Sequence, residues 1–170
     1  MRSVEDKKNQ ILTGPEWEKL LSEYPVVVAD KRKYYIESNR SHYNHAHHSD
    51  GLDAAEQIIA EKYPEYSAAF TKVCNRTWAH MFNMFVMRRD LFDQYCQWMF
   101  SILEEIEHRV DISNYDTYEA RIYGFVSEIL LDVWIEANNI DYKEQNVSFM
   151  EPQNWLKKGG LFLKRKLFGR

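Results

Sequence analysis

Two acidic residues near the start of a predicted helix are the first candidates for chemistry. Asp116 and Glu119 stand three positions apart, so both carboxylates can face the same side of a first helical turn. A carboxylate in a cleft can act as a general base towards a hydroxyl group. Acids in a first turn also complement the helix dipole, and the sequence alone favours that capping role. Arg121 follows two residues after Glu119. The sequence does not decide whether it clamps a phosphate or pairs with either acid.

Four closely spaced histidines form a second candidate site. His42, His45, His47 and His48 lie within seven residues, and imidazole is a frequent metal ligand. Their order does not match the pattern His-x-His-x-Asp-His that is usual in metallohydrolases. The sequence therefore favours a polar segment that lines a site or faces water, and a metal-dependent hydrolase using His42 to His48 is the weaker alternative.

The two acids introduce the most strongly periodic segment, which we predict to be a helix from about Thr117. Apolar residues recur at helical spacing over residues 122–137, the pattern of a helix with one buried face. A second long helix is predicted, with Asp90 as its cap and an apolar stripe that reaches Ile106. Because a helix start presents outward-pointing backbone N–H groups, anionic ligands are often bound there.

Short apolar runs predict a few strands between the helices. Val26–Val28 is a continuous β-branched run, typical of a strand buried on both faces. Residues 30–51 are predicted to be one long polar loop, and His80–Met87 an interior strand in which His80 is favoured as a buried structural residue. A weak strand is predicted within Lys143–Phe149. This alternation predicts an α/β protein, rich in helix, with a small mixed sheet.

The composition is that of an ordinary soluble protein. A length of 170 residues suits one domain, and the net charge of -4 gives no reason to expect a nucleic acid partner. Cys74 and Cys96 lie among apolar neighbours, which indicates free thiols in a reducing compartment. The charged N-terminus lacks a signal sequence and no apolar run is long enough to span a membrane. We therefore expect a cytoplasmic protein.

The C-terminal segment, residues 154–170, differs from the domain predicted over residues 1–153. It contains six Lys or Arg residues and no acid, interleaved with leucine and aromatic residues. Such a segment can lie in the headgroup region of an anionic membrane. A docked terminal helix with a solvated basic face is the alternative. The first interpretation predicts peripheral attachment to the inner face of the plasma membrane.

Several long strings resemble one bacterial family of unknown function. They are RKYYIESNRSHYNHAHH, EKYPEYSAAFTKV, QNWLKK and the long segment from FNMFVMRRD to LLDVWIE. Members of that family lie in capsular and exopolysaccharide gene clusters and are regarded as glycosyltransferases. The resemblance runs from about Ile11 to Phe168, and the strings agree in order and spacing.

The resemblance implies a GT-A-like fold, a nucleotide-sugar donor and a lipid-linked saccharide acceptor, with a divalent metal accompanying the donor as one possibility. No cofactor is identified in the chain itself. In the glycosyltransferase hypothesis that this resemblance leads to, Asp116 or Glu119 is the prospective base. The sugar site implied by the resemblance is lined by His42, Tyr43, His45, His80, Asn83, Arg121 and Glu128.

Two departures from the family pattern qualify this expectation. The family usually has Arg after the Ser-Glu pair, whereas this chain has Ile129, which weakens a phosphate role there. Family members also carry a further N-terminal section, so the chain is expected to match the C-terminal part of the domain and to be incomplete as an enzyme. A non-catalytic, membrane-associated partner domain in polysaccharide assembly is the second hypothesis.

Overall fold

The computed structural model describes residues 4–150, which divide into two units. The smaller unit contains residues 4–13 and 147–150. Its helix α1 (Val4–Lys8) is tied to the second segment by Lys7, whose Nζ donates hydrogen bonds to the backbone carbonyls of Phe149 and Met150. The larger unit contains residues 14–146 and holds the hydrophobic core. The predicted basic segment, residues 154–170, lies outside the described residues.

A three-stranded mixed sheet lies in the larger unit. Its central strand β1 (Val26–Ala29) is buried along its whole length, as its valine run predicts. Strand β4 (Phe85–Met87) pairs with it antiparallel, Val27 opposite Val86. Strand β5 (Tyr142–Gln145) pairs with it parallel on the other side, Val27 opposite Lys143. Two shorter strands, β2 (Arg32–Lys33) and β3 (Trp78–Ala79), form a separate antiparallel ladder.

Six helices accompany these strands in the larger unit. In chain order they are α2 (Gly14–Glu23), α3 (Asn39–Ala46), α4 (Asp50–Lys62), α5 (Ser67–Asn75), α6 (Arg89–Arg109) and α7 (Ile122–Ala137). Helix α7 buries residues on nearly every side, because α4, α5 and α6 all pack against it. Within residues 4–150 no helix has the length and apolar character needed to cross a membrane. The architecture is the predicted α/β class, dominated by helix and with a small mixed sheet.

Four predicted elements have different boundaries in the structure. The weak strand predicted within Lys143–Phe149 is Tyr142–Gln145. The supposed loop over residues 30–51 contains β2 and helix α3. The supposed strand His80–Met87 is interrupted by a turn, so that only Phe85–Met87 is a strand, with β3 ending just before His80. The last long helix begins at Ile122 and not at about Thr117, since a 3-10 turn over Glu119–Arg121 precedes it.

Candidate functional site

A buried carboxylate at the start of α3 holds two of the four histidines. The side chain of Ser38 caps the helix by accepting a hydrogen bond from the Ser41 backbone N–H. Glu37 precedes the cap and is only 6% exposed. The Nδ1 atoms of His42 and His45 lie 3.3 and 3.0 Å from its two carboxylate oxygens. Burial acts to raise the pKa of Glu37, but these two hydrogen bonds outweigh it and hold the pKa below its usual value.

The His42 ring connects this carboxylate to the end of β2. It stacks on the ring of Tyr34 with centroids 4.0 Å apart. The guanidinium of Arg32 lies 5.4 Å from the centroid of the same Tyr34 ring. Tyr34 is buried, and burial raises the pKa of its hydroxyl. The end of β2 and the first turn of α3 therefore present an aromatic and charged surface together.

A second carboxylate, Glu128 on α7, faces this surface. Burial raises the pKa of Glu128, while a hydrogen bond from the Phe82 backbone N–H and the charges of Arg32 and Arg121 act in the opposite direction. The Glu128 charge also acts on the Tyr34 hydroxyl. We call these five residues, Arg32, Tyr34, Phe82, Arg121 and Glu128, the Glu128 cluster. It brings together β2, the turn before β4 and the first half of α7.

Asn83 fastens that turn to α7. Its Nδ2 donates hydrogen bonds to the Gly124 carbonyl at 3.2 Å and to the Ser127 hydroxyl at 2.8 Å. Phe82 and Asn83 both have positive φ angles, 78° and 49°. Side chains seldom adopt this region without support from their surroundings. The hydrogen bonds of Asn83 therefore hold the turn in the conformation that places the Phe82 N–H beside Glu128.

The other two histidines contact Glu119 at the far end of α3. Glu119 is 7% exposed, its Oε2 accepts a hydrogen bond from the His48 backbone N–H, and the same atom lies 3.7 Å from Nδ1 of His47. The His47 ring stacks on Phe125 at 3.8 Å, and the His48 ring stacks on Tyr115 at 4.5 Å. The predicted base Glu119 is thus buried beside two histidines whose rings stack on aromatic side chains.

Asp116 has the capping role that the sequence favoured. Its Oδ1 accepts hydrogen bonds from the backbone N–H groups of Tyr118 and Glu119, both at 2.8 Å. Arg121 is exposed, and its guanidinium lies 5.4 Å from the centroid of the Phe125 ring. Its charge also acts on Glu128. Arg121 therefore belongs with the Glu128 cluster and not with Asp116.

Two residues predicted to line the sugar site lie in the interior instead. Tyr43 is 5% exposed and belongs to the hydrophobic core. His80 is 1% exposed, and its Nδ1 lies 2.6 Å from the Asp132 carboxylate. The burial of His80 beside Asp132 confirms the structural role that the sequence favoured, and contradicts the substrate-binding role that the resemblance implied. Their burial removes both from any surface that a substrate contacts.

The histidine string does not assemble a metal site in the part of the chain that the structure describes. Across residues 4–150, no group of three or more His, Cys, Asp or Glu side chains is placed to hold a metal ion. His42 and His45 turn to Glu37, while His47 lies beside Glu119 beyond the other end of the helix. A divalent cation that accompanies a diphosphate is held by only one or two protein carboxylates, so the metal expected with the donor stays a prediction.

The structure thus brings together one part of the predicted site. His42, His45, Asn83, Arg121 and Glu128 lie in or next to the Glu128 cluster. Arg32, Tyr34 and Glu37 belong with them but were missed from the sequence, since they lay in a segment interpreted as a loop. The signal that points to them is the Glu-Ser pair at positions 37 and 38, because Ser is a preferred N-cap and marks a helix start.

Two comparisons relate the chain to known proteins. A family model described as a domain of unknown function, DUF4422, matches residues 1–139. The solved apo structure of WbbM, described as a bifunctional glycosyltransferase, is 28% identical with a TM-score of 0.73. The alignment covers 76% of this chain and 24% of that one, so the chain spans about a quarter of the solved protein's length. No match is found among curated proteins.

Proposed function

We propose that this chain, which belongs to the DUF4422 family, is a glycosyltransferase domain. It transfers a sugar from a nucleotide-sugar donor to a hydroxyl group of a saccharide acceptor. The observation that carries the proposal is the likeness of most of the chain to part of a solved bifunctional glycosyltransferase, at 28% identity. The TM-score of 0.73 shows that the likeness includes the α/β architecture, in which β2, the turn before β4 and α7 position the Glu128 cluster.

Glu128 is the group best placed to accept the proton of the acceptor. In sugar transfer the acceptor oxygen bonds to the anomeric carbon, the bond from that carbon to the donor diphosphate breaks, and the hydroxyl proton passes to a base. A general base works best when its pKa lies near the working pH, and burial raises the pKa of Glu128. Asp116 is committed to backbone N–H groups, while the catalytic role predicted for Glu119 stays a prediction.

Glu37 and the two histidines bonded to it, His42 and His45, provide a second fixed feature of the same site. A carboxylate bonded to Nδ1 of an imidazole sets the orientation of the ring. Glu37 does this for His42, which also stacks on Tyr34. We assign His42 the role of a substrate-binding residue whose ring is held in place by Glu37. His45, which bonds to the same carboxylate, is assigned to the site beside it. Arg32 and Arg121 balance the charge of Glu128 and are available to the departing diphosphate as it gains negative charge.

The acceptor we favour is a lipid-linked saccharide of capsular or exopolysaccharide synthesis, handled at the inner face of the plasma membrane. The support is the resemblance of the long sequence strings to that family and the basic, aromatic composition of residues 154–170. A basic segment of this type is attracted to anionic lipids. The alternative of a non-catalytic partner domain predicts membrane binding without any donor binding.

The test combines donor binding with transfer. Calorimetric titration of the chain with a panel of UDP, GDP, dTDP and CMP sugars is expected to show saturable binding of one donor. Glu128→Gln should lower the rate of transfer to a saccharide acceptor by about 10²-fold or more and leave donor affinity unchanged. Glu104→Gln, at an exposed position on α6, is the matched control. Absence of binding across the panel, or full activity of Glu128→Gln, would contradict the proposal.

A further inference from the structure

Helix α6 carries an apolar stripe on a side that faces solvent. Phe92 and Phe100 are 39% and 60% exposed, while Cys96 and Leu103 on the same side are half-buried. At 3.6 residues per turn, these four side chains leave the helix within an arc of about 80°. We call these four residues the α6 stripe. Single exposed apolar residues are ordinary, but a row of them at helical spacing is typical of a helix that packs against a partner.

Two other sides of α6 are packed within the larger unit. The buried side consists of Tyr95, Trp98, Met99, Ile102 and Ile106. Helix α4 covers one flank, where the Tyr63 hydroxyl lies 2.7 Å from the Ser101 hydroxyl and Lys62 pairs with Glu105. Ser101 and Glu105 lie roughly 140–180° around the helix from Cys96. The contacts of α4 therefore leave the α6 stripe uncovered.

The two ends of the α6 stripe carry opposite charges. Arg89 precedes the stripe and Glu107 follows it, and both side chains leave the helix within the same arc of about 80°. The Arg89 side chain is 84% exposed, although its Nε donates a hydrogen bond to Asp93 at 2.9 Å. A guanidinium has five N–H donors, so this one bond does not exhaust it. Glu107 is exposed near the end of the helix. The stripe thus fits a partner helix with an apolar centre and the reverse order of charges.

We infer that the α6 stripe pairs with the α6 stripe of a second copy of this chain, antiparallel and around a two-fold axis that passes between Cys96 and Phe100. In this arrangement Cys96 lies opposite Phe100 of the second copy, and Phe92 lies beside its Leu103. The two-fold axis repeats each contact, because the same surface is used by both copies. Such a dimer does not depend on sugar transfer, so it goes beyond the proposed function.

The charges at the ends select the antiparallel direction. With the axis between Cys96 and Phe100, Arg89 lies opposite Glu107 of the second copy, and the symmetry forms this pair twice. A parallel pair of helices would place Arg89 against Arg89 and Glu107 against Glu107. Like charges across an interface suppress that arrangement, whereas complementary charges fix the register.

Sedimentation equilibrium of the whole chain tests the dimer. Four apolar side chains from each copy make a small interface, and small interfaces are typical of weak, reversible association. We therefore expect a monomer–dimer equilibrium with a Kd in the micromolar range. Phe100→Asp should raise that Kd at least about tenfold, because it places a charge in the apolar contact. Its unfolding midpoint should stay unchanged, since Phe100 is exposed in the single copy. Tyr118→Asp alters another exposed ring, outside α6, and is the control that should leave the Kd unchanged.

Charge reversal tests the antiparallel register. Arg89→Glu and Glu107→Arg should each raise the Kd about threefold to tenfold at low salt, because each variant sets like charges against each other. The variant with both substitutions should associate nearly as well as wild type, because the opposing charges are again of opposite sign. High salt should reduce all of these differences. A double variant that associates as weakly as either single variant would overturn the register.

Cys96 allows a chemical test of the same contact. The two Cys96 residues would lie about four residues, or about 6 Å, apart along helices whose axes are about 8–10 Å apart. A bismaleimide with a short spacer should therefore link two copies, and Cys96→Ser should prevent the link because Cys74 is buried.

A chain that stays monomeric up to millimolar concentration would overturn the inference and leave the α6 stripe to a different protein segment. A dimer that Phe100→Asp does not weaken would overturn it as well, since the copies would then meet elsewhere. Failure of the proposed function is distinct from both results, because it would appear as loss of donor binding and sugar transfer in the wild-type chain.

Discussion

Asp132 is a buried acid that organises charges inside the core. It is 2% exposed, and its carboxylate accepts hydrogen bonds from the His80 backbone N–H at 2.9 Å and pairs with Nδ1 of the His80 ring at 2.6 Å. The Arg76 guanidinium pairs with the same carboxylate and lies 3.5 Å from the centroid of the Trp78 ring. This network joins α5, the segment after β3 and α7.

We expect Asp132→Asn to destabilise the protein strongly. The substitution leaves the partly buried Arg76 guanidinium without its counter-charge and weakens the hydrogen bonding of the buried His80, and breaking a buried ion pair from one side costs about 3–5 kcal/mol. Urea unfolding near neutral pH measures this loss. Asp141→Asn, at an exposed position before β5, should change the free energy of unfolding by less than about 0.5 kcal/mol. Equal stability of the two variants would show that the network contributes nothing.

The contribution of Asp132 to the free energy of unfolding should also depend on pH. Burial acts to raise the pKa of Asp132, but the His80 hydrogen bond and the Arg76 charge outweigh it and hold the pKa below its usual value. A carboxyl with a lowered folded pKa stabilises the fold above its unfolded pKa of about 4 and loses that contribution as pH falls through the folded pKa. The stability gap between wild type and Asp132→Asn should therefore be steady down to about pH 5 and narrow below about pH 4.

At the residue level, the sequence identified the right residue types but could not identify their partners. Nothing in the spacing of His80 and Asp132, or of Glu37 and His42, indicates which carboxylate each imidazole meets. Asp116 was the exception, because its capping bonds are local and depend only on the next three residues. Glu128 was named through the family resemblance, since the burial that raises its pKa depends on tertiary packing that local sequence does not indicate.

The approach of α4 to α7 depends on one glycine. Gly51 lies in the first turn of α4, and a Cβ placed on it would stand 2.4 Å from Cγ1 of Ile122. Ile122 is itself 2% exposed and has little room to move. Gly124, by contrast, lies on α7 where an added Cβ would meet nothing within 4 Å. The two glycines thus form a matched pair of helical sites.

We expect Gly51→Ala to destabilise the protein by about 1–3 kcal/mol, since overpacking a tight contact forces side chains or helices to shift. Gly124→Ala should be neutral or raise stability by up to about 1 kcal/mol, because alanine favours the helix and nothing opposes it. Denaturant unfolding of both variants decides the question. A Gly51→Ala protein as stable as Gly124→Ala would mean that the helices separate without cost.

Elements with strong periodicity were predicted well, and those stabilised by tertiary contacts were missed. The buried strand β1 and the helices α6 and α7 follow from apolar patterns. Helix α3 lacks an apolar stripe and depends on the Ser38 cap, the buried Tyr43 and the hydrogen bonds from Asn39 to the Val73 and Trp78 carbonyls. Those carbonyls are more than thirty residues away, so local pattern could not indicate the helix.

The distribution of the core across the chain suggests which part folds as a unit. The buried apolar cluster runs from Val26 to Ile135, with Tyr142 packed against its edge. All of it falls within residues 14–146, the larger unit. Since burial of apolar surface is the main favourable term in folding, a fragment of residues 14–146 retains the interactions that stabilise the core and the Glu128 cluster.

We expect that fragment to unfold in one cooperative transition, with a midpoint within about 4 °C of the full chain, the shift that roughly 1 kcal/mol produces. It should also lack affinity for anionic vesicles, because the six basic residues of 154–170 are absent, and each such residue contributes about 1 kcal/mol near a charged surface. Calorimetry and vesicle co-sedimentation measure the two properties, with neutral vesicles and high salt as controls.

An unfolded fragment would refute the division into units. A folded fragment that sediments as well as the full chain would instead place the membrane contact within residues 14–146 and remove the role assigned to the basic segment.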